Sequence, residues 1–252
     1  MHTWLVDLDA NEPVWASEGA LTEAERRRGA HFADTLLARR YLRSRLAVRH
    51  LLGERLRVPP AELRIAYLPG GKPYLPDHAG LHISWSRSEG LLLLGASGSG
   101  PIGVDIEWQR PVPTPLDVLA TVYPDLPAAA GPESFLPAWT LLEAAVKATG
   151  RGLLRGARDV DLLFAATGEV ALRGIRGQGP DAWSGRTNVL PARGGAPAAV
   201  VAVVVQGEVA RMITPCGGMD RHDAAVCGHH GGGHTPPGCD RLRCTRNFVE
   251  IA

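Results

Sequence analysis

One apolar stretch decides the fold and also carries two acids: Pro101-Ile102-Gly103-Val104-Asp105-Ile106-Glu107. Its β-branched residues predict a buried strand. Successive side chains of a strand point to opposite faces of the sheet, and residues two apart point to the same face. Asp105 and Glu107 are therefore expected to lie side by side on one face of this strand.

A second stretch, Trp139-Thr140-Leu141-Leu142-Glu143-Ala144-Ala145-Val146-Lys147, has helical spacing. Glu143 and Lys147 are four residues apart, which puts them on one face of a helix. If this helix meets the strand before it, three carboxylates and one ammonium converge. Such a group suits Mg²⁺ that is bound to a substrate phosphate. The alternative is a surface acid pair and an ordinary salt bridge within a helix.

The two lysines of the chain are a further signal. Lysine and arginine together number 27, and only Lys72 and Lys147 are lysine. Lys72 lies in the turn-like stretch Gly70-Gly71-Lys72-Pro73. An ammonium is a compact point charge, whereas a guanidinium is a wide planar fork, so a crowded phosphate site can require lysine. Chance remains the alternative, since two lysines must fall somewhere.

Four motifs carry a resemblance to a known family. They are Gly103-Val104-Asp105-Ile106-Glu107, the Trp-x-x-x-Glu-Ala-x-x-Lys-x-x-Gly-x-Gly-Leu run from Trp139 to Leu153, Gly71-Lys72-Pro73 and His82-Ile83-Ser84. In this order they resemble the signature of the 4′-phosphopantetheinyl transferases, and the larger, surfactin-synthetase-activating type is the more similar one. The resemblance covers residues 20 to 207.

The resemblance implies an α+β fold with two similar α/β subdomains. They are related by pseudo-twofold symmetry, and the active site lies in the cleft between them. Residues 1–101 are expected to form the N-terminal subdomain, and 102–209 the C-terminal subdomain that carries the metal motifs. Helical stretches that precede strands in both halves agree with this plan.

The activity that the resemblance implies is the transfer of 4′-phosphopantetheine from coenzyme A to a serine of an apo acyl or peptidyl carrier protein. The reaction depends on Mg²⁺, or on Mn²⁺, and releases adenosine 3′,5′-bisphosphate. Whether the carrier protein serves fatty-acid, polyketide, peptide or siderophore synthesis stays open. The alternative is a catalytically weakened protein of the same fold that binds coenzyme A or a carrier protein.

The resemblance also assigns site residues. The metal ligands are Asp105, Glu107 and Glu143, the catalytic residues are Glu143 and Lys147, and the residues for coenzyme A are Arg27, Arg40, Lys72, Pro73, Ser84 and Trp85. Glu107 is alternatively an acceptor for a metal-bound water. Glu143 is also the candidate base toward the serine, directly or through a water. Lys147 is expected to stabilise charge on the reacting phosphate.

Two positions depart from the family pattern. Trp85 stands where histidine is common, and Leu142 stands where lysine is common. An indole donates one hydrogen bond but carries no charge, so Trp85 is more suited to stacking on adenine. Both changes are expected to weaken the binding of phosphate.

Composition excludes several classes of protein. A net charge of +1 gives no global case for nucleic-acid binding. The longest apolar run, Ala196–Val205, is too short to cross a bilayer, and Met1–Pro13 has no basic segment typical of a signal peptide. We therefore expect a soluble, cytoplasmic monomer that binds neither nucleic acid nor membranes.

Residues 210–252 differ from the rest of the chain. This stretch is rich in Gly, Pro, His, Arg and Cys and has no apolar period, so we expect a disordered tail. A zinc site is the alternative, with the candidate ligands Cys216, Cys227, His229, His230, His234, Cys239 and Cys244. Their spacings lack the close cysteine pair of structural zinc sites, which argues against it.

Periodicity and capping signals predict the remaining elements. Thr22 and Glu25 form a capping box, so a helix should begin near Leu21. The other predicted elements are a helix over Arg39–Leu52, a helix over Trp139–Thr149, a hairpin of Leu81–Trp85 with Leu91–Ala96, and strands over Trp4–Asp9, Ile102–Glu107, Asp159–Phe164, Glu169–Leu172 and Ala198–Val205.

Overall fold

The computed structural model describes residues 1–10, 18–177, 182–192, 198–207, 244, 245 and 248–251. The strands are β1 (His2–Asp7), β2 (Ala66–Tyr67), β3 (Pro73–Tyr74), β4 (His82–Ser88), β5 (Leu91–Ser97), β6 (Ile102–Trp108), β7 (Val160–Phe164), β8 (Val170–Ile175), β9 (Trp183–Leu190), β10 (Ala199–Gln206), β11 (Cys244–Thr245) and β12 (Phe248–Ile251). The helices are α1 (Glu23–Ala30), α2 (Thr35–Leu56), α3 (Pro115–Ala120), α4 (Phe135–Thr149) and α5 (Leu153–Gly156). This mixture confirms the predicted α+β class.

Capping side chains decide where the first two helices begin. The hydroxyl of Thr22 accepts a hydrogen bond from the backbone N–H of Glu25, and the Glu25 carboxylate accepts one from the N–H of Thr22. This confirms the predicted capping box. The Asp34 carboxylate accepts bonds from the N–H groups of Leu36 and Leu37, so α2 begins four residues before the predicted Arg39.

The first sheet is built from the N-terminal half and the end of the chain. Its strand order is β11-β12-β1-β5-β4. The predicted hairpin is confirmed, because β4 pairs with β5 in an antiparallel register that puts Ile83 opposite Ala96. Helix α2 covers this sheet, and its Val48 and Leu52 are fully buried in the same apolar cluster as Ile83.

The second sheet has the order β6-β10-β9 and carries α4 on one face. Helix and sheet approach most closely at Gly103, where an added Cβ would stand 1.9 Å from the carbonyl oxygen of Ala144. Only glycine fits such an approach. Strand β9 was not predicted, because Ser184 to Asn188 break the apolar alternation on which the sequence argument relies.

The two sheets meet where β4 runs beside β6. The Ser84 hydroxyl accepts a hydrogen bond from the N–H of Val104 (3.1 Å), and the Ser88 hydroxyl accepts one from the N–H of Trp108 (3.2 Å). Leu93 of the first sheet shares an apolar cluster with Val104 of the second. These contacts bring the acidic strand β6 next to the serines of β4.

Most of the predicted tail, and all zinc candidates except Cys244, lie outside the described residues. Strand β12 is an exception, since it pairs with β1 and puts Glu250 opposite Trp4. The disordered tail stays a prediction. No helix among the described residues is long and apolar enough to cross a membrane.

Candidate active site

Asp105 lies at the centre of the candidate site and is only 2% exposed. Its Oδ1 accepts hydrogen bonds from Nζ of Lys147 at 2.5 Å and from the hydroxyl of Ser86 at 2.6 Å. Its Oδ2 is buried and has no hydrogen-bond partner among the described residues. A buried carboxylate oxygen of this kind has lost its water without a replacement, which is costly.

The other two predicted acids flank this pair. Glu107 accepts a hydrogen bond from the Ser88 hydroxyl at 3.1 Å, and it is half-buried. The Glu143 carboxylate lies 4.0 Å from Nζ of Lys147. Lys147 is thus closer to Asp105 on the strand than to Glu143 on its own helix. The strand and the helix do meet as the sequence predicts.

The acids of this site all hold their protons more tightly than usual. Burial raises the pKa of Asp105, against the opposing effect of Lys147. Burial also raises the pKa of Glu107 and of Glu143, and the neighbouring carboxylates raise both further. Three carboxylates share a single ammonium here. The acidic side chains of the cluster therefore outnumber its one ammonium.

The three predicted metal ligands are not arranged around a common metal position. Within the residues that the structure describes, no three His, Cys, Asp or Glu side chains are grouped so that they could hold a metal ion. The ammonium of Lys147 is the cation on Asp105 instead. The metal role of Asp105, Glu107 and Glu143 remains a prediction at this point.

A cavity of about 290 Å³ opens beside this cluster. Its walls come from both halves of the chain: Tyr67, Gly70, Gly71, Lys72, Pro73, Ser84, Trp85, Glu143, Val146, Lys147, Gly150, Gly152 and Leu153. Six of the predicted site residues are in this set. The other four, Arg27, Arg40, Asp105 and Glu107, are not.

The ammonium of Lys72 does not point at open space. It donates to the backbone carbonyl oxygens of Ile102 (3.0 Å), Lys147 (2.6 Å) and Ala148 (2.6 Å). Burial lowers the pKa of Lys72 to about 8. Its aliphatic stem lines the cavity, but its charge is directed to the end of α4 and to the start of β6.

The two predicted arginines are held by carboxylates. Arg40 is buried and donates to both oxygens of Asp9 and to Glu89. A phosphate added there would meet two negative charges, so this arrangement does not favour the predicted phosphate contact. Arg27 lies on the exposed face of α1 and pairs with Glu23 at 2.9 Å.

Ser84 and Trp85 contribute differently to the cavity wall. The Ser84 hydroxyl is buried and engaged with the N–H of Val104. One face of the Trp85 indole is covered by the guanidinium of Arg45, 4.7 Å from the ring centroid, and Tyr67 meets the indole edge-on. The guanidinium occupies one face of the ring, so a stacking ligand would have to contact the other face.

Two serines of the site were not predicted from the sequence. Ser86 bridges Asp105 and Lys147, and Ser88 holds Glu107. Their signal was present in the sequence, because Ser84, Ser86 and Ser88 alternate along one strand and share a face.

The departure at Leu142 also has a structural reason. This side chain is fully buried in the apolar cluster that α4 forms with its sheet, where a lysine would lose its hydration.

Comparisons with known proteins agree with this geometry. The profile of the 4′-phosphopantetheinyl transferase superfamily matches residues 101–203. This range includes all four residues of the acid–lysine cluster, which are Asp105, Glu107, Glu143 and Lys147. The chain is 29% identical to the 4′-phosphopantetheinyl transferase HetI of Nostoc sp. over 73% of this chain and 80% of that protein. It is 26% identical to psf-1 of Bacillus pumilus over 67% and 75% of the two chains.

A third relative is Sfp of Bacillus subtilis, also named as a 4′-phosphopantetheinyl transferase. The identity is 31% over 46% of this chain and 54% of Sfp, so the match spans about half the length of that relative. The predicted recognition and the prediction of an enzyme of this kind are confirmed. The chain is similar to the 4′-phosphopantetheinyl transferase superfamily, including its Sfp-like type.

Proposed function

We propose that this protein transfers 4′-phosphopantetheine from coenzyme A to a serine of an apo acyl or peptidyl carrier protein. The observation that carries the proposal is the position of Lys147 at the cavity wall, between the carboxylates of Asp105 and Glu143. Similarity to the superfamily supports it, because the matching relatives are named as 4′-phosphopantetheinyl transferases.

In the proposed reaction the serine oxygen forms a bond to the phosphorus that carries the pantetheine arm. The bond from that phosphorus to adenosine 3′,5′-bisphosphate breaks, and this product leaves. Glu143 takes the serine proton, directly or through a water, since it lies at the cavity wall beside Lys147. Lys147 stabilises the negative charge that grows on the phosphate oxygens.

We further propose that the site works with Mg²⁺ or Mn²⁺. The unpartnered Oδ2 of Asp105, the surplus of carboxylates and their raised pKa values all fit a hard cation with oxygen ligands. When bound, the ion neutralises the diphosphate of coenzyme A. Asp105, Glu107 and Glu143 would hold it. Because these residues are not grouped as a closed ligand set, Glu107 or Glu143 must move toward Asp105.

The larger-scale organisation is part of the proposal. We assign residues 1–101 and 102–209 to two similar subdomains related by a pseudo-twofold axis, with the cavity as the cleft between them. Each part contributes one long helix, α2 or α4, that covers an antiparallel sheet. The cavity walls combine Lys72 and Trp85 from the first part with Glu143 and Lys147 from the second. Localisation in the cytoplasm, a monomeric state, and the absence of nucleic-acid or membrane partners remain predictions.

A second candidate function is a protein of the same fold that binds coenzyme A or a carrier protein but transfers little. The favouring observation is that Arg27 and Arg40 pair with carboxylates while Lys72 bonds to backbone carbonyls. None of these three cations is directed into the cavity. This arrangement leaves fewer cations to stabilise the phosphates during transfer, which favours a catalytically weakened protein.

Mass spectrometry of an apo carrier protein separates the two candidates. After incubation with this protein, coenzyme A and Mg²⁺, the transferase predicts a mass gain of one phosphopantetheine on the carrier serine, in catalytic excess over the enzyme. Binding of coenzyme A in calorimetry without any mass gain would favour the second candidate.

A further inference from the structure

The ammonium of Lys72 has no donor left for a ligand. A protonated lysine side chain has three N–H donors and no acceptor. Three backbone carbonyl oxygens surround Nζ of Lys72, those of Ile102, Lys147 and Ala148, at 3.0, 2.6 and 2.6 Å. Each donor therefore has its own acceptor within the protein.

The three carbonyls belong to the elements that build the acid–lysine cluster. Two of them lie in the last turn of α4, where carbonyl groups lack partners within the helix and attract a positive charge. One of these two is the carbonyl of Lys147 itself. The third is the carbonyl of Ile102 at the start of β6, the strand that carries Asp105.

The backbone around Lys72 reinforces this contact. Gly70 lies so close to the end of α4 that an added Cβ would stand 2.5 Å from the carbonyl oxygen of Gly150. The stem of Lys72 also lies against Gly150, since a Cβ there would be 3.1 Å from Cδ of Lys72. The turn before β3 thus packs directly against the C-terminal end of α4.

We propose that Lys72 is a positioning residue that fixes the last turn of α4 against β6 and thereby holds Lys147 beside Asp105. In this role the ammonium of Lys72 does not contact the nucleotide end of coenzyme A, its 3′-phosphate included, in contrast to the contact with coenzyme A that the family resemblance implies. The inference rests on the proposed transfer reaction. It adds a role for a charge that the reaction itself does not use.

The proposal separates binding from turnover. Lys72→Met keeps the length and apolar stem of the side chain but removes all three donors. The end of α4 then loses its cross-link to β6, so Lys147 is held less well at the reacting phosphate. We expect kcat to fall by about tenfold or more, while the Kd of coenzyme A changes by less than about threefold.

Lys72→Arg should restore little of the lost kcat. A planar guanidinium spreads its donors and cannot place them on three carbonyl oxygens that converge around one atom.

A matched control is available in the first sheet. Arg43 also donates to backbone carbonyls, those of Leu8 at 2.7 Å and Ala10 at 2.9 Å, but it touches neither α4 nor β6 in these contacts. Arg43→Met removes a comparable cross-link far from the cluster. We expect it to lower the melting temperature without changing kcat.

Calorimetry with two ligands tests the binding half of the proposal. Coenzyme A and 3′-dephospho-coenzyme A are titrated into the wild type and Lys72→Met. The ratio of the two Kd values should be the same in both proteins. If Lys72 binds the 3′-phosphate, the variant must lose affinity for coenzyme A only, by about tenfold or more, and this result would overturn the proposal.

A double-mutant cycle tests the turnover half. If Lys72 acts through Lys147, then Lys72→Met should change kcat little in a Lys147→Ala background, and the two losses will not add. Additive losses would mean that Lys72 acts independently of Lys147, against the proposal. Should Lys72→Met fail to fold, Gly70→Ala displaces the same turn with every charge intact, and it must show the same split between kcat and Kd.

These outcomes are distinct from a failure of the proposed function. A wild type that binds both ligands but transfers nothing contradicts the transferase, and the ratio of Kd values still decides whether Lys72 binds the 3′-phosphate. A wild type that binds neither ligand overturns both proposals.

Discussion

Asp105 has two carboxylate oxygens in unlike surroundings, and this contrast explains the chemistry assigned to it. Oδ1 is held by Lys147 and Ser86, whereas Oδ2 has no hydrogen-bond partner among the described residues. Oδ1 therefore fixes the orientation of the side chain, and Oδ2 is the oxygen that the proposed cation would contact. Burial raises the pKa of Asp105 because water no longer stabilises the charged form.

Magnesium binding should depend on pH for this reason. Groups with a raised pKa keep their protons to higher pH, and these protons compete with the metal. We expect Mg²⁺ to raise the melting temperature more at about pH 8 than at about pH 5.5. Asp105→Asn should abolish the increase, while Asp161→Asn, an exposed acid near Arg173, should keep it. An equal increase in Asp105→Asn would contradict the metal role.

Lys147 should be needed for turnover more than for binding. A charge-assisted contact to the reacting phosphate predicts that Lys147→Ala lowers kcat on the order of a hundredfold or more, with a smaller effect on KM. Lys147→Arg should rescue only in part, because the fork occupies a different volume. If steady-state kinetics keep both variants within a few-fold of the wild type, Lys147 is only a salt-bridge partner.

At the scale of elements, the site depends on how closely α4 lies on β6. Gly103 permits this approach, and Glu143 and Lys147 face the acids of β6 as a result. The sequence allowed the strand, the helix and their acids to be predicted. It did not allow the role of Ser86 to be predicted, because the alternation of serines on β4 indicates a shared face but not which strand of the other sheet that face meets.

The same limit applies to the cations that were predicted to contact coenzyme A. Motif spacing placed Lys72 and Arg40 at the ligand, but their partners come from distant parts of the chain. Lys72 bonds to carbonyls of β6 and α4, and Arg40 pairs with Asp9 and Glu89. A local motif predicts which residue is important but not which distant residues contact it. Such contacts are seen only in the folded structure.

Gly103→Ala should disturb the site through packing alone. The added methyl group would overlap backbone atoms of Ala144 and Ala148, so the helix must shift away from the strand. We expect a loss of about 1–3 kcal/mol in the free energy of unfolding and a fall in kcat. The control is Gly174→Ala, where an added Cβ meets nothing within 4 Å. Unchanged stability and activity in Gly103→Ala would show that α4 can approach β6 in another way.

The contact between α1 and α2 rests on a buried ion cluster. Glu25 accepts hydrogen bonds from Arg45 and Arg49, both at 2.8 Å. Burial acts to raise the pKa of Glu25, but these bonds and the one from the N–H of Thr22 outweigh it, so the net pKa is lowered. The stability from this cluster is therefore present at neutral pH, and it is lost as the pH falls through the lowered pKa.

Removing this carboxylate should be costly. Glu25→Ala leaves two buried guanidinium groups unpaired, and we expect a loss of about 3–5 kcal/mol in the free energy of unfolding by urea denaturation. Glu23→Ala is the matched control on the same helix, because its pairs with Arg26 and Arg27 are exposed and should contribute less than about 1 kcal/mol. Similar losses in both variants would contradict this account of the cluster.

At the scale of the whole molecule, the proposed activity depends on two sheets that are joined side by side. The serines of β4 and the acids of β6 meet at this junction, and the cavity opens next to it. Both parts contribute to the site, since Ser86 and Lys72 come from the first part and Asp105 and Lys147 from the second. The proposed transferase site therefore depends on how the two parts are arranged.

The most direct test of this claim measures both products of one reaction. The wild type and Asp105→Asn are first shown to have similar melting temperatures. Each protein is then incubated with coenzyme A, Mg²⁺ and an apo carrier protein, and mass spectrometry follows the products. The account predicts that the wild type forms phosphopantetheinylated carrier and adenosine 3′,5′-bisphosphate in equal amounts, and that the variant forms neither. Equal product formation by the variant, or no product from a folded wild type that binds coenzyme A, would contradict it.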